Sequence, residues 1–381
     1  TDDRWPIDMP EAPEGAELSK TPRLVDRLQY RQVRVGFRDN GSTHLFVVPA
    51  VSGTERQLTD GEWNVGAQFD GLFSGAGLNW MPDSKTIIFD GWNDTDGDAV
   101  YRRSHIYSID IDSKDIIQLT TEPGSWSAPV VSNDGKQIAF TGYPASDATY
   151  EMGRIHVMNA DGSDVRMLSE EFDQPVDSLI WADNDRGVYF TAQGSGYINV
   201  YYMALGGDVR AVTEGLQTVN LSSANRNATV GVGVLASYYE PGDVYSFALS
   251  GRGKPARLTS VNEDLLATKK LGEHEEIWYE ASDGNRAHGW IVKPPNFDPE
   301  QDYPLLMEIH GGPFGMYSGR FNFQYQVYAA NGFVVLYTNP RGSTGYGEAF
   351  SQAINRAYPS VDYLDLMGGV DATIAKGYID E

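Results

Sequence analysis

The sequence predicts part of a β-propeller, about four to five blades, followed by the first part of an α/β domain. Three observations predict this. Similar hairpins recur along the chain, most of them follow a second hairpin, and beyond Asn262 the pattern changes to apolar strands alternating with helices.

The recurring hairpins are "HLFVVPAVSGTERQLT" from His44, "HIYSIDIDSKDIIQLT" from His105, "RIHVMNADGSDVRMLS" from Arg154, "NVYYMALGGDVRAVT" from Asn199 and "DVYSFALSGRGKPARLT" from Asp243. Their starts lie 61, 49, 45 and 44 residues apart. Each is an alternating strand, a turn rich in Gly, Asp or Ser, and a short strand ending in Leu or Val followed by Thr or Ser. That is a hairpin signature. Four are preceded by another: "LNWMPDSKTIIFDG", "APVVSNDGKQIAFTG", "SLIWADNDRGVYFTA" and "VNLSSANRNATVGVGV". Two hairpins give four strands per repeat, the content of a propeller blade, and the regular repetition favours this over a β-sandwich. Ile87, Phe89, Ile138, Phe140, Val188 and Phe190 are expected to stack between blades.

Residues 75–262 supply four complete blades and residues 24–60 part of a fifth. An open propeller leaves two raw sheet edges, and the Pro- and acid-rich start "TDDRWPIDMPEAPEGAELSKTPR" reads as an irregular connector. The expectation is that further blades precede Thr1. Residues 1–262 are thus the propeller part and 263–381 the start of the second domain.

In that second part, "HEEIWYEASDGNRAHGWIVKPPNF" is a hairpin turning on Asp283-Gly284. "YPLLMEIH" is a nearly continuous apolar run, as a strand covered on both faces requires. "YQVYAANGFVVLYTNP" reads as a helix ending at Asn331-Gly332, then a buried strand from Phe333 to Thr338. "YLDLMGGVDATIAKGYIDE" places Leu364, Met367, Val370 and Ile374 at helical spacing, with Gly377 as the stop. Strands alternating with helices imply a mostly parallel sheet. Ligands of such sheets sit beyond the carboxyl ends of strands, where His310-Gly311-Gly312-Pro313 falls.

A glycine pair at that place has a chemical use. Acyl transfer needs backbone N–H donors aimed at a developing oxyanion, and glycine lets main-chain amides face the substrate. An HGGG-type loop does this in α/β-hydrolases. His-Gly-Gly alone is equally the mark of a plain turn; "TNPRGSTGYG", following the next strand, strengthens the catalytic reading.

With "HGGPFG", "NPRGSTGYGEAF", "DYLDLMGGVDATIAKGYID" and the propeller repeats ahead of them, the chain resembles the prolyl oligopeptidase family of serine peptidases, in particular its dipeptidyl-peptidase and acylaminoacyl-peptidase branch. The resemblance covers nearly the whole chain. It implies a propeller that filters peptides by size and an α/β-hydrolase domain carrying Ser, Asp and His. No G-x-S-x-G occurs in the 381 residues, so the triad is expected beyond Glu381. What carries over is the oxyanion neighbourhood at His310, Gly311 and Gly312. The position of His310 often holds an aromatic whose side chain assists the oxyanion. The implied partners are short peptide substrates and the remainder of the hydrolase domain, with homo-oligomers possible. The alternatives are a catalytically inactive propeller that works as a binding module, and a small-ester hydrolase.

Arg341, Phe314 and Tyr346 are candidate substrate-binding residues. Arg341 alternatively pairs with an acid to fix its loop, and Phe314 and Tyr346 alternatively pack the domain interface. His44, His105 and His156 open hairpin strands and read as structural, His274 and His288 as surface residues, and Ser343 as a loop residue. Asp94, Asp96 and Asp98 alternate in a loop, but its glycine, Gly97, is fourth rather than sixth and no Glu stands at the twelfth position, so a solvated loop is favoured over a calcium site.

Composition narrows the partners. A net charge of −24, spread without blocks, repels phosphate backbones and anionic lipid, which speaks against nucleic acid and membranes. The absence of cysteine excludes disulfides, thiolate catalysis and sulfur-bound metals. No run approaches the ~18 apolar residues of a membrane span. No cofactor or metal is expected. Compartment is open, with the resemblance leaning toward a periplasmic or secreted protein.

Overall fold

The computed structural model describes residues 41–66, 77–93, 102–251 and 253–380, together with 13–15, 25, 28, 30–32, 36–37, 68–69 and 72–73. Asp94, Asp96 and Asp98 lie outside the described residues.

Four blades follow one another from Leu78 to Arg257. The second is typical: Gly124–Val131, Gln137–Pro144, Arg154–Asn159 and Arg166–Met167 pair antiparallel in chain order. The third and fourth share a single parallel bridge, Ile198 to Thr218. Ahead of the first blade, Phe46–Val47 pairs with Arg56–Gln57 as the part-blade.

Strand alternation explains how the blades adhere, since successive side chains leave opposite faces. Ile87 and Phe89 of the first blade pack backward on Leu45, Leu58 and Val65. Ile88, between them, packs forward on Trp126, Ile138 and Phe140 of the second. Ala139 then joins Trp181, Val188 and Phe190 of the third, and Tyr189 joins Val219, Leu221 and Phe247 of the fourth. All six residues expected between blades are buried.

The hydroxyl that ends every repeat has a fixed task. Thr59, Thr120, Ser169, Thr213 and Thr259 each accept the amide of a residue at the start of the repeat, namely Leu45, Ile106, Ile155, Val200 and Val244, at 2.8–3.0 Å. His44 and His105 lean on the same hydroxyls at 3.2 and 3.1 Å. His156 instead stacks on Phe140, with ring centroids 5.4 Å apart. The structural reading of these three histidines agrees with their contacts.

The second part holds a four-stranded sheet in the order His274–Glu280, Arg286–Val292, Val334–Asn339, Leu305–Glu308. Only the last pair is parallel, so the sheet is mixed rather than mostly parallel: the hairpin that turns on Asp283-Gly284 is itself part of it. Val334–Asn339 is central and wholly buried. Leu305–Glu308 is half-buried, because among the described residues no strand pairs with its outer side.

The helix Phe323–Ala330 begins at Asn322, whose side chain accepts the amides of Gln324 and Tyr325, and ends at Asn331-Gly332 as expected. The helix Val361–Ile374 differs from expectation in its inward face. Asp362, Asp365, Gly368, Gly369 and Thr373 are buried, while Met367 is exposed. Gly368 and Gly369 let the helix approach Ala281 and Tyr279 so closely that a Cβ would touch them, which rotates the apolar stripe off the contact.

Candidate functional site

The two parts meet along a polar seam. Arg154 pairs with Glu348 at 2.8 Å, Ser195 N–H donates to Gly345 O at 2.8 Å, and Gly319 N–H donates to Gly196 O at 2.9 Å. Phe314 stacks on Tyr150 of the second blade, with centroids 5.0 Å apart. Its ring therefore packs the interface.

Beyond Glu308 the parallel strand gives way to the loop that carries His310, Gly311 and Gly312. Gly312 has φ +145°, and a Cβ there would lie 2.8 Å from Phe314 N, so only glycine fits. Gly311 is different: a Cβ there would meet nothing within 4 Å. Both residues are exposed, and among the described residues their amides have no hydrogen-bond partner. Main-chain donors thus stand open at the carboxyl end of a strand.

The loop is held from behind by two residues of the "NPRGS" segment. Asn339, at the end of the central strand, clamps Tyr317 like a piece of ladder: Oδ1 accepts Tyr317 N–H at 2.8 Å and Nδ2 donates to Tyr317 O at 2.9 Å. Tyr317 in turn meets the His310 ring edge-on, at 4.9 Å. Ser343, fully buried, donates to Pro340 O at 2.6 Å and lies 3.1 Å from His310 Nε2. The Ser343 hydrogen goes to Pro340 O, so its oxygen faces His310 Nε2 as an acceptor, while the Gly311 carbonyl, also an acceptor, lies 3.2 Å from Nδ1. Burial pushes the His310 pKa down, which keeps the ring neutral. Ser343 is a support for His310, without the exposure a nucleophile needs.

The other candidates are also engaged. Arg341 is gripped by Asp365 at 2.7 Å and Asp283 at 2.8 Å, as its acid-pairing alternative holds. The Tyr346 hydroxyl bridges Asn339 Nδ2 at 2.8 Å and His288 Nδ1 at 2.7 Å, so it serves the interior. His288 is a correction: expected at the surface, it is fully buried, sandwiched by Trp278 at 4.1 Å and Trp290 at 4.2 Å. His274 is likewise drawn in, stacked on Tyr238 at 4.7 Å. Both lie on strands of the mixed sheet, His274–Glu280 and Arg286–Val292.

Next to the seam, a cleft of about 540 Å³ opens against the third and fourth blades. Asp177, Ser178, Gln193, Asn220 and Arg320 are on its walls. Arg320 comes from the same loop as His310, and Gln193 accepts from the Thr344 hydroxyl at 2.7 Å. Among the described residues no cluster of His, Asp or Glu is placed to hold a metal ion, and no helix is long and apolar enough to cross a membrane.

Comparison with known proteins bears on this arrangement. A model of the prolyl oligopeptidase family matches residues 319–381, and a model of the dipeptidyl peptidase IV N-terminal region matches residues 12–150. Over these two stretches the chain is similar to the prolyl oligopeptidase family. Peptidase YuxL of Bacillus subtilis is 32% identical over 52% of this chain and 30% of its own length. Dipeptidyl-peptidase 5 of Schizosaccharomyces pombe is 26% identical over 72% of this chain and 40% of its own. The chain thus spans less than half the length of these curated relatives. The acylaminoacyl peptidase of Pyrococcus horikoshii has the same fold, with a TM-score of 0.62 at 19% identity over 88% of this chain and 61% of that one. Asn339 and Tyr317 are the site residues that pattern reading passed over. The available signal was a polar residue closing an otherwise apolar strand.

Proposed function

We propose that this chain is part of a serine peptidase that hydrolyses short peptides through an acyl-enzyme, with the propeller as a size filter. The serine, acid and base act from residues beyond Glu381, and the acyl oxyanion is held at the amides beside His310. The observation that carries this is the open pair of amides at Gly311 and Gly312, presented at a strand end while Asn339 and Ser343 hold the loop from behind. A donor so placed contributes about 2.7–4 kcal/mol to transition-state stabilisation.

The test uses the full-length protein with a fluorophosphonate label and two substrate classes, aminoacyl-nitroanilides and nitrophenyl esters. Labelling and preference for the nitroanilides are expected. Gly311→Val keeps the amide but puts a branched side chain into the open space beside it, so it should leave the melting temperature unchanged yet lower kcat/KM by obstructing the scissile carbonyl. A full-length protein that ignores the label would overturn the reading. Preference for esters would turn it toward the small-ester hydrolase.

A further inference from the structure

A chain of polar groups runs from the loop at His310 to the propeller blades, and its hydrogens have one consistent direction. Asn339 Oδ1 is fixed as an acceptor by Tyr317 N–H, so Nδ2 supplies the donors, one to Tyr317 O and one to Tyr346 Oη. Having accepted from Asn339, the Tyr346 hydroxyl has its own hydrogen for His288 Nδ1, at 2.7 Å. A neutral His288 then carries its proton on Nε2, which lies 3.1 Å from Glu276 Oε1. That contact does not meet hydrogen-bond geometry, and Trp278 Nε1 donates to the same oxygen at 3.3 Å. The other Glu276 oxygen accepts from the Tyr197 hydroxyl, whose oxygen lies 2.9 Å from that of Tyr238.

Apart from the Asn339 bond to Tyr317 O, the donors of the chain are directed toward one carboxylate, with His288 Nε2 in close contact with it rather than hydrogen-bonded. Glu276 belongs to the first strand of the mixed sheet, His288 to the second and Asn339 to the third, where His288 and Asn339 are register partners. Tyr197 opens a strand of the third blade and Tyr238 follows one of the fourth. Buried chains of this kind are satisfied as a unit, so removing one member re-orients the rest.

We infer that Asn339, Tyr346 and His288 are positioning residues that tie the oxyanion loop to the propeller blades through Glu276. The inference rests on the peptidase reading above, because the loop matters to the reaction only if its amides meet the oxyanion. None of the four touches the reacting atoms. They act by fixing Tyr317 and, through it, the His310 ring. Interactions that count only in the transition state change kcat and leave KM alone.

The experiment compares Tyr346→Phe, Glu276→Gln and the blade-side Tyr197→Phe with the parent in the full-length protein. Turnover is counted per fluorophosphonate-titrated site, so that misfolded protein drops out. For Tyr346→Phe and Glu276→Gln, kcat is expected to fall about 10- to 100-fold with little change in KM; Tyr197→Phe should fall in the same direction and by less. Histidine-selective ¹⁵N spectra of the parent should show His288 protonated on Nε2 and bare on Nδ1. Unchanged kcat in both Tyr346→Phe and Glu276→Gln, or a His288 protonated on Nδ1, would overturn the inference. A variant that does not fold leaves Tyr197→Phe and the tautomer to decide. A parent without label or turnover would instead remove the peptidase reading, and the spectrum would still decide the direction of the chain.

Discussion

Asp365 holds Arg341 by backbone and side chain together: Oδ2 accepts the Arg341 amide at 2.7 Å and its Nε at 2.9 Å, while Oδ1 accepts Nη2 at 2.7 Å. This bidentate grip fastens the loop after the central strand to the helix Val361–Ile374, and Asp365 is completely buried. Asp283 joins from the tip of the first hairpin, and its bond with Arg341 is the main reason its pKa is held below the usual carboxylate range.

Removing one partner of a buried pair leaves the other uncompensated. Asp365→Ala is expected to destabilise the protein by about 3–5 kcal/mol. Asp283 is a third exposed, and Asp283→Ala should cost far less than Asp365→Ala. Urea titrations of the two variants check this. Equal losses would mean that the pairing with Asp365 is not what anchors the loop.

The repeat-ending hydroxyls give a second prediction. Thr120 Oγ1 accepts the buried Ile106 amide at 2.9 Å, and Thr120→Val keeps the shape but removes the acceptor. A buried amide left alone costs about 1–3 kcal/mol. Thr120→Ser keeps the oxygen, as Ser169 does naturally in the next repeat, and should restore most of that loss. Differential scanning calorimetry of the pair would measure it, and a serine no better than valine would refute the assigned role.

These two cases also show what the sequence makes legible. Thr120 was visible because a propeller repeats: five copies of the same local solution make a short signal readable, although its purpose needs the hydrogen bond. The blade cores were legible for the same reason, through period-two alternation at Ile87, Phe89 and their counterparts. Asp365 was not. A carboxylate on the inward face of a helix contradicts apolar periodicity, and its reason is Arg341, distant in sequence. The buried Gly368 and Gly369 displaced the apolar stripe by close approach, which spacing alone does not encode. At the candidate site, His310, Gly311 and Gly312 were found by motif, whereas Asn339 acts through Tyr317 across a turn of chain that no spacing rule joins. His288 reads as a surface residue because nothing in the local pattern shows that Trp278 and Trp290 cover its ring.

The seam between the two parts is testable at Arg154 and Glu348, which are both largely buried and 2.8 Å apart. Asp173 stands 3.6 Å from the same guanidinium and also receives the Glu348 amide. A double-mutant cycle of Arg154→Met and Glu348→Gln should return a coupling energy of about 0.5–3 kcal/mol. The same cycle in 1 M salt should lose little of it, since a partly buried pair is weakly screened. Coupling near zero would mean that the apolar stacking of Phe314 on Tyr150 carries the seam without it.

Acid should weaken the protein through its interior histidines. His156, His274 and His288 each have a pKa lowered to about 4, with burial as the leading cause. Above the ordinary value near 6.5 they are neutral whether folded or not, and contribute nothing to pH dependence. As pH falls from about 6.5 toward 4, the unfolded chain binds protons that the folded chain refuses, so stability drops by about 1.4 kcal/mol per pH unit for each group. Below about 4 the folded protein binds them too and this slope ends. Asp243, held at about 2 chiefly by the Thr259 hydroxyl, acts in a separate and lower window. His156→Phe isolates one contribution, because its ring already stacks on Phe140 and a phenyl suits the place. Urea midpoints measured between pH 7 and pH 4.5 should fall less steeply in this variant, by the equivalent of one proton at the acid end. A slope parallel to that of the parent would show that His156 is protonated within the folded blade.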